Sequence, residues 1–378
     1  MLTATTPLQS VTLLIPNFQA GGAERVMIRL AKGLHGMGFS VNLVVLSDQG
    51  PYREEVPSGI NVISLQASRA LFGIPALICH LRRERPTVLL SALFHTNFIA
   101  VVARLLARSP TRLVISEHNT LDLVHSLVTR WRWIAFRLLL GWAYPRADAV
   151  VCVSEGIADG LRHVLPGLDS KLHVIGNPVV SDEVIQLSQQ PLEHPWVGAT
   201  APPLVLAAGR LIPAKGFDLL LTAFAKVVAR TSARLVILGE GSERAGLTRQ
   251  IQRLGLSDAA TLHGFTPNPY AWMRHAKVFV LSSRHEGLPG ALIEAMACGC
   301  RVVATDCPHG PREILEQGRW GRLVPMDDPE ALAQAIIEML GSPTAPDARA
   351  RSQHYSLKYV THLYLDVLGL KAGNHLRP

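Results

Sequence analysis

The sequence predicts an α/β protein of two doubly wound halves, each a parallel sheet with helices on both faces, facing a central cleft. Short apolar runs of strand length recur along the 378 residues, and helical patterns lie between most of them. A polar segment with prolines, Val174–Gly198, followed by Pro202-Pro203, interrupts this alternation and predicts an interdomain linker. We therefore expect two domains, over residues 1–180 and 200–350.

The composition indicates a globular, rather apolar protein with a basic balance. Hydrophobic residues make up 48% of the chain and charged residues 17%, which excludes a disordered protein. The net charge of +8 favours anionic partners: nucleotide diphosphates, nucleic acids or an anionic membrane face. Aromatic and basic residues are not interleaved as in a nucleic-acid module, so we expect no nucleic-acid partner.

Cysteine usage and hydropathy indicate a reducing compartment and no membrane span. The five cysteines are scattered, without a Cys-x-x-Cys pair or zinc spacing, so we expect free thiols. Met1–Ser10 lacks the Lys or Arg of a signal peptide, and no apolar run reaches about 18 uncharged residues. We expect a cytoplasmic protein, peripheral at the inner face of the cytoplasmic membrane.

The first half begins with the local plan of a phosphate site. An apolar strand leads into Gly21-Gly22 and then a helical pattern, Ala23–His35, with an apolar face from Val26 to Leu34. The full G-x-G-x-x-G fingerprint is absent. The predicted strands of this half are Val11–Pro16, Val41–Leu46, Val62–Leu65, Val88–Leu90, Leu113–Ile115, Val150–Val153 and His173–Ile175.

Two polar segments follow strands in this half, where ligands bind in parallel sheets. They are Phe94–Asn97, with His95, and Ser116–Asn119, with His118. From its position alone, each histidine is either a packed, hydrogen-bonded residue or a ligand-binding one.

The second half repeats the alternation and ends in a helix. We expect a closing helix over Tyr355–Leu370. The predicted strands are Leu204–Ala208, Leu235–Leu238, Thr261–His263, Val278–Leu281 and Val302–Ala304.

The stretch Ser282–Gly299 predicts an anion site. A buried strand precedes it, a tight glycine- and proline-rich loop opens it, and a helical pattern over Ala291–Ala297 closes it. The unpaired N–H groups at such a helix start attract negative charge. Glu286 and Glu294 stand at opposite ends of this turn. They either accept hydrogen bonds from sugar and ribose hydroxyls, or are a helix-start acid and a solvated glutamate.

Two cations follow the first strand of the second half. Arg210 and Lys215 lie in the segment Gly209–Gly216. In the cleft they would stabilise the charge of a departing diphosphate; in isolation they could equally be surface residues.

These motifs together resemble the large retaining glycosyltransferase family numbered four, which has the GT-B fold. The resemblance covers nearly the whole chain. It rests on GGAERV at 21–26, G-R…K-G at 209–216, Gly239–Gly241, His263–Phe265, and two glutamates with seven residues between them, Glu286 and Glu294. It implies two Rossmann-like domains, acceptor-binding and then nucleotide-sugar-binding, with helix 355–370 crossing back to the first. It also implies late loops at Pro311–Glu313 and Gly321–Val324.

The resemblance also implies roles for individual residues. Glycine backbone would approach the donor diphosphate, His118 and Glu286 would bind the donor sugar, and Glu294 would bind the ribose. Catalytic roles fall to His118, Arg210, Lys215 and Glu286, and donor binding falls to Gly21, Gly22, Gly264, Phe265, Gly287, Leu288, Pro289, Gly290, Ala291, Leu292 and Glu294.

The expected activity is retaining, metal-independent transfer of a hexose or N-acetylhexosamine from a UDP-sugar to a lipid-linked or saccharide acceptor. We expect no cofactor and no metal site, because the loops contain no Asp-x-Asp pair. The motifs most resemble bacterial transferases that extend polyprenyl-diphosphate-linked oligosaccharides, including N-acetylgalactosamine transferases. Alternatives are a GT-B epimerase or phosphorylase, or a catalytically silent GT-B subunit; the retained charges argue against the last.

One helical segment, Thr129–Arg146, is rich in both tryptophan and arginine. It is either a core helix with charged ends or a membrane-facing helix beside the acceptor site. In the second case Arg130 and Arg137, two turns apart on one face, would contact lipid phosphates or the diphosphate of the acceptor.

Overall fold

The computed structural model describes residues 9–19, 21–119, 121, 129–342 and 346–371. The chain divides into two compact units. The first unit contains Met1–Pro178 and Leu357–Pro378, and the second contains Val179–Ser356. No helix within the described ranges has the length and apolar character needed to cross a membrane.

The first unit is built on a parallel sheet, with the described strands in the order β3-β2-β1-β4-β5-β6-β7. The chain proceeds outward from β1 to β3 and then returns to β4 on the other side of β1. The boundary between β1 and β4 is therefore a topological switch point, where ligands bind in such sheets. The strands are β1 (Ser10–Ile15), β2 (Ser40–Val45), β3 (Asn61–Ser64), β4 (Val88–Ala92), β5 (Arg112–Glu117), β6 (Ala149–Cys152) and β7 (Leu172–Val174).

Helices connect these strands, and the C-terminal helix completes the unit. Helix α1 (Gly22–Gly36) buries Val26, Leu30 and Leu34, as its sequence pattern predicts. Val360 and Tyr364 of the C-terminal helix lie in the same hydrophobic core as α1 and β1. The other helices of this unit are α2 (Ile74–Glu84), α3 (Phe94–Ala107), α4 (Arg130–Ala143), α5 (Glu155–Val164) and, at the C-terminus, α14 (Leu357–Leu368).

The second unit has its own parallel sheet, with the described strands in the order β10-β9-β8-β11-β12-β13. Its switch point lies between β8 and β11. The strands are β8 (Leu204–Ala208), β9 (Arg234–Leu238), β10 (Ala260–Gly264), β11 (Val278–Leu281), β12 (Arg301–Thr305) and β13 (Arg322–Val324). The helices are α6 (Asp182–Ser188), α7 (Phe217–Val228), α8 (Arg244–Arg253), α9 (Pro269–His275), α10 (Gly290–Ala297), α11 (Pro311–Ile314), α12 (Pro329–Gly341) and α13 (Arg349–Ser352).

The connecting segments contain short elements that the sequence did not predict. The expected linker, Val174–Gly198, does contain the division between the two units, which falls after Pro178. The expected linker contains helix α6, whose start is stabilised by the Ser181 hydroxyl accepting a hydrogen bond from the Val184 N–H at 3.4 Å. Both expected late loops are wrong: Pro311–Glu313 belongs to helix α11, and Gly321–Val324 contains strand β13, which pairs in parallel with β12. These three elements are short, and tertiary contacts rather than local pattern determine them.

Candidate active site

Lys215 and Glu286 meet at the switch point of the second sheet. Lys215 ends the 3₁₀ turn Pro213–Lys215 after β8, and Glu286 lies in the loop after β11. The Lys215 Nζ and Glu286 Oε1 atoms are 2.6 Å apart, and the Ser283 hydroxyl donates to the same oxygen at 2.6 Å. The side chains are 23% and 9% exposed, respectively. A cation and an oriented carboxylate are thus held together at the edge where a ligand is expected.

The backbone of the Lys215 turn is fixed against the end of β11. Gly216 has φ +60°, and a Cβ there would lie 2.1 Å from the Ser282 carbonyl oxygen, so the position requires glycine. The Ser282 hydroxyl donates to the Lys215 carbonyl oxygen at 2.9 Å. This contact holds the two loops in register and directs Lys215 toward Glu286.

Arg284, which sequence analysis missed, joins the same two loops. Its guanidinium donates two hydrogen bonds to the Asp218 carboxylate at 2.8 Å and one to Asp327 at 2.7 Å. It also donates to the Pro213 carbonyl oxygen at 3.0 Å. The hydrogen bonds from Arg284 lower the pKa of the Asp218 carboxyl. The only sequence signal was its position between two serines and Glu286, which does not reveal partners so distant in the chain.

The helix start expected to bind an anion is in place. Helix α10 begins at Gly290, and no side chain caps its first turn. The predicted donor residues Gly287, Leu288 and Pro289 form the loop before it, and Ala291 and Leu292 belong to its first turn. Its N–H groups therefore lie on the same loop as Glu286.

Glu294 is buried, not solvated. It is 9% exposed, and the Tyr270 hydroxyl donates to its Oε1 at 3.2 Å. The interpretation of Glu294 as a solvated helix residue is therefore wrong. A buried carboxylate that accepts a hydroxyl hydrogen bond is suited to further hydroxyl ligands.

The other predicted residues of this unit line the ends of neighbouring strands. Gly264 ends β10, and Phe265 follows it with 78% of its surface exposed. Arg210 is exposed, and its guanidinium makes no hydrogen bond or ion pair with any described residue. The structure thus unites Lys215 and Glu286 and leaves Arg210 in the same loop without a protein partner among those residues.

In the first unit, Gly21 and Gly22 form the start of α1. Gly21 precedes the helix and supplies no side-chain cap. No described heavy atom lies within 4 Å of a Cβ built at Gly22, so packing within this unit does not require glycine there.

His118 follows β5 and is held by its neighbour. Its Nε2 is 3.0 Å from the Ser116 hydroxyl. Burial lowers the pKa of the His118 imidazole to about 4, so the ring is neutral at neutral pH. A neutral imidazole that uses one nitrogen for Ser116 keeps the other for a ligand hydrogen bond.

A buried acid beside His118 was not predicted. Asn97 donates to the Glu117 carboxylate at 2.9 Å, and Tyr144 also donates to it. Burial raises the pKa of the Glu117 carboxyl to about 7, although these two hydrogen bonds lower it. The available signal was a glutamate directly after the apolar run Leu113–Ile115 and Ser116.

A polar cavity of about 760 Å³ lies at the carboxyl ends of the first strands of this unit. Asn17 after β1 and His95 after β4 both line it, so it occupies the switch point of the first sheet. Its lining consists of Pro16, Asn17, Leu46, Ser47, Asp48, Gln49, Ser64, Gln66, Ala67, Ser68, Arg69, Ala70 and His95.

Helix α4 is a surface helix, so its interpretation as a core helix is wrong. Its only buried residues are Leu140 and Ala143, whereas Trp131 is 67% and Leu138 71% exposed. The helix contacts α3 through aromatic rings, with the Phe94 and Phe136 centroids 4.3 Å apart. Arg130 and Arg137 are both exposed.

Comparison with known proteins covers both units. A family model described as Glycosyltransferase Family 4 matches residues 20–183, and one described as Glycosyl transferases group 1 matches residues 202–342. The chain is 29% identical over 344 residues to the N-acetylgalactosamine-N,N'-diacetylbacillosaminyl-diphospho-undecaprenol 4-alpha-N-acetylgalactosaminyltransferase of Campylobacter jejuni, covering 88% of this chain and 90% of that protein. It is 26% identical to the lipopolysaccharide core biosynthesis glycosyltransferase LpsE of Rhizobium meliloti, covering 93% and 96%.

A solved structure shows the same fold. The Anabaena protein Alr3699/HepE, crystallised with UDP and glucose, superposes with a TM-score of 0.76 at 21% identity, covering 96% of this chain and 99% of that one. The predicted GT-B fold is therefore confirmed, including the C-terminal helix that joins the first unit. The chain belongs to the group 1, family 4 glycosyltransferases and is a glycan-assembling transferase that uses a nucleotide sugar.

Proposed function

We propose that this enzyme transfers a hexose or N-acetylhexosamine from a UDP-sugar to a saccharide acceptor carried on a lipid, with retention and without a metal ion. The observation that carries the proposal is the 2.6 Å contact between Lys215 and Glu286 at the switch point of the second sheet. A cation for a leaving diphosphate and a carboxylate for sugar hydroxyls are both needed there. The Lys215 ammonium and the Glu286 carboxylate lie close enough to each other and to the start of α10 to contact the same ligand.

The departing diphosphate is bound by positive charge. Lys215 and the uncapped N–H groups at the start of α10 bind its oxygens, and the exposed Arg210 supplies a second cation. Fixed donors of this kind stabilise charge that develops as the sugar–phosphate bond breaks. A metal ion would be redundant in this arrangement, and described residues contain no group of three metal-ligating side chains.

The two glutamates bind different parts of the donor. Ser283 fixes Glu286 so that its carboxylate can exchange the Lys215 contact for sugar hydroxyls. Glu294, buried four residues into α10 and bonded by Tyr270, accepts from the ribose hydroxyls. Phe265 and Gly264 at the end of β10 contact the base.

We assign the acceptor to residues 1–180 with helix 355–370, and the donor nucleotide to residues 200–350. In the first unit, Gly21 and Gly22 admit the diphosphate to the backbone, and neutral His118 hydrogen-bonds the donor sugar. Because none of the described residues of the site is an obvious nucleophile, retention proceeds on one face of the sugar through an oxocarbenium-like state. The Anabaena structure contains UDP, and the Campylobacter relative's name specifies a diphospho-undecaprenol acceptor; these support a UDP-sugar donor and a lipid-linked acceptor.

Helix α4 fits an anionic membrane face on the cytoplasmic side. Residues 130–146 contain four arginines and no acidic residue, and Trp131 and Leu138 are exposed between them. Tryptophan and arginine together suit the lipid headgroup layer, where arginines meet phosphates. Arg130 and Arg137 would contact the phosphates of the membrane lipids around a polyprenyl-linked acceptor.

The proposal is tested with a panel of UDP- and GDP-sugars. We expect one UDP-sugar to raise the melting temperature, since a ligand at 100 times its dissociation constant adds roughly 2.7 kcal/mol to the free energy of unfolding. Without an acceptor, the enzyme should slowly hydrolyse the same UDP-sugar and release UDP. A protein that binds and hydrolyses no sugar nucleotide, or that prefers GDP-sugars, would contradict the proposed donor.

A further inference from the structure

The polar cavity of the first unit is continuous with an exposed apolar turn. Arg69 and Ala70 line the cavity, and the 3₁₀ turn Ala70–Gly73 follows directly. Leu71 and Phe72 at the tip of this turn are 60% and 67% exposed. A polar pocket, a cation and an apolar tip thus occur in that order along five residues of chain.

The base of the turn is fixed to the cavity wall. A Cβ at Gly73 would lie 2.8 Å from Leu46 and 3.6 Å from Ala67, and both of these residues line the cavity. The Phe72 N–H also donates to the Arg69 carbonyl oxygen at 3.0 Å. Leu71 and Phe72 therefore project from an anchored turn and keep their position relative to the cavity.

Charge distinguishes Arg69 from the rest of the lining. Asp48 is already paired with Arg53, at 3.0 Å between Arg53 Nε and Asp48 Oδ1. Arg69 makes no side-chain hydrogen bond or ion pair with any residue that the structure describes. The other polar lining groups are amides, hydroxyls and one imidazole. The cavity thus offers amide and hydroxyl groups that can bind a sugar, and Arg69 is an available cation where the cavity meets the apolar turn.

We propose that the cavity and the segment Arg69–Phe72 form one acceptor site for a saccharide joined through a phosphate or diphosphate to a lipid. The saccharide occupies the cavity, the phosphate binds Arg69, and Leu71 and Phe72 enter the lipid. The volume, about 760 Å³, lies within the range of roughly 300–1,000 Å³ typical of ligand pockets. The polar cavity, the arginine and the apolar tip follow one another in the same order as the saccharide, the phosphate and the lipid of the ligand. This inference rests on the proposed function, because it assigns the acceptor of the same reaction.

Vesicle binding tests the lipid and phosphate parts without catalysis. The probes are phosphatidylcholine vesicles containing undecaprenyl diphosphate, and vesicles of matched charge containing phosphatidylglycerol. We expect wild-type protein to prefer the first, and Arg69→Ala to remove the preference by lowering that affinity roughly tenfold. Leu71→Ser with Phe72→Ser should weaken binding to both vesicles. Equal wild-type binding to both vesicles, or a preference that survives Arg69→Ala, overturns the proposal.

Matched variants control for nonspecific effects. Leu254→Ser with Met326→Ser removes two exposed apolar side chains of the second unit, 36% and 39% exposed, and should leave vesicle binding unchanged. An equal loss in this control would mean that general surface hydrophobicity, and not the turn, holds the lipid.

The cavity is tested with undecaprenyl diphosphate carrying one N-acetylhexosamine. The sugar should increase wild-type affinity, and Ser68→Trp should abolish that gain by filling the cavity. Ser58→Trp, at an exposed position before β3 and outside the lining, should preserve it. A gain retained in Ser68→Trp overturns the cavity assignment. UDP release without an acceptor, measured on every variant, distinguishes failure of the proposed function from failure of the acceptor site. If wild-type protein releases no UDP, the proposed donor chemistry is contradicted, whereas the vesicle-binding result remains valid.

Discussion

Removing the Lys215 ammonium should damage catalysis far more than folding. Loss of one fixed donor at developing charge costs roughly 10²–10³ in turnover, or about 2.7–4 kcal/mol of transition-state stabilisation. Lys215 is 23% exposed, so its ion pair with Glu286 is partly solvated and contributes little to folding. Glu286 keeps its hydrogen bond from Ser283 in Lys215→Ala. We therefore expect a stability loss of only about 1 kcal/mol.

The assay combines UDP release from the selected UDP-sugar with thermal unfolding of the same preparations. Lys226→Ala is the matched control, because Lys226 is an exposed lysine of the same unit that pairs with Glu330. Arg210→Ala should also lose roughly 10²–10³ in turnover if its guanidinium binds the diphosphate. Near-full turnover in a folded Lys215→Ala or Arg210→Ala protein would refute the leaving-group role of that residue.

A double variant checks that Lys215 acts together with Glu286. Their side chains are in direct contact at 2.6 Å, so their effects should not be additive. We expect Lys215→Ala with Glu286→Gln to lose less turnover than the product of the two single losses. Strict multiplication would mean that the contact has no bearing on catalysis.

Four further outcomes follow from the structure. Glu294→Ala should weaken UDP binding measured by calorimetry, whereas Glu286→Ala should reduce transfer far more than UDP binding; equal losses would refute this division. Activity should persist in excess EDTA, and a complete loss restored by Mg²⁺ would reveal a missed metal site. Arg130→Glu with Arg137→Glu should abolish salt-sensitive pelleting with anionic liposomes and raise the acceptor KM without altering UDP binding; unchanged pelleting and kinetics would leave α4 without a membrane role. The pKa of Glu117 is about 7 in the folded protein against an ordinary 4.5, so the folded state binds more protons between these values and stability falls as pH rises through them. In urea unfolding, the free energy of unfolding of Glu117→Gln relative to wild type should rise by roughly 3 kcal/mol between about pH 4 and pH 8. Parallel pH profiles of the two proteins would contradict a buried, protonated Glu117.

The sequence predicts the sheets well because buried parallel strands carry a strong local signal. Runs such as Leu204–Ala208 and Val278–Leu281 are apolar throughout, as strands covered on both faces must be, and both occur with the predicted bounds. Strand β13 has only three residues, and its first is exposed, so its pairing with β12 leaves no local pattern.

Long-range contacts are what the sequence does not contain. Lys215 and Glu286 are 71 positions apart, and their motifs indicate a shared ligand but not a direct ion pair. The partners of Arg284 lie 43 to 71 positions away. The exposure of α4 was equally inaccessible, because its apolar residues would fit a core as well as a membrane surface. Only the packing of α3 against one side of α4 shows which side chains remain uncovered.

The two sheets apply one topological rule to different chemistry. At the switch point between β8 and β11 the chain places fixed charge: a lysine on a glycine-anchored turn and a half-buried glutamate on the neighbouring loop. At the switch point between β1 and β4 it places amides, hydroxyls and one available arginine around a cavity. Fixed charge favours a ligand whose charge changes during reaction, whereas neutral polar groups favour one recognised by its hydroxyls. That difference, which depends only on residues within each unit, is the physical basis for assigning the donor to the second unit and the acceptor saccharide to the first.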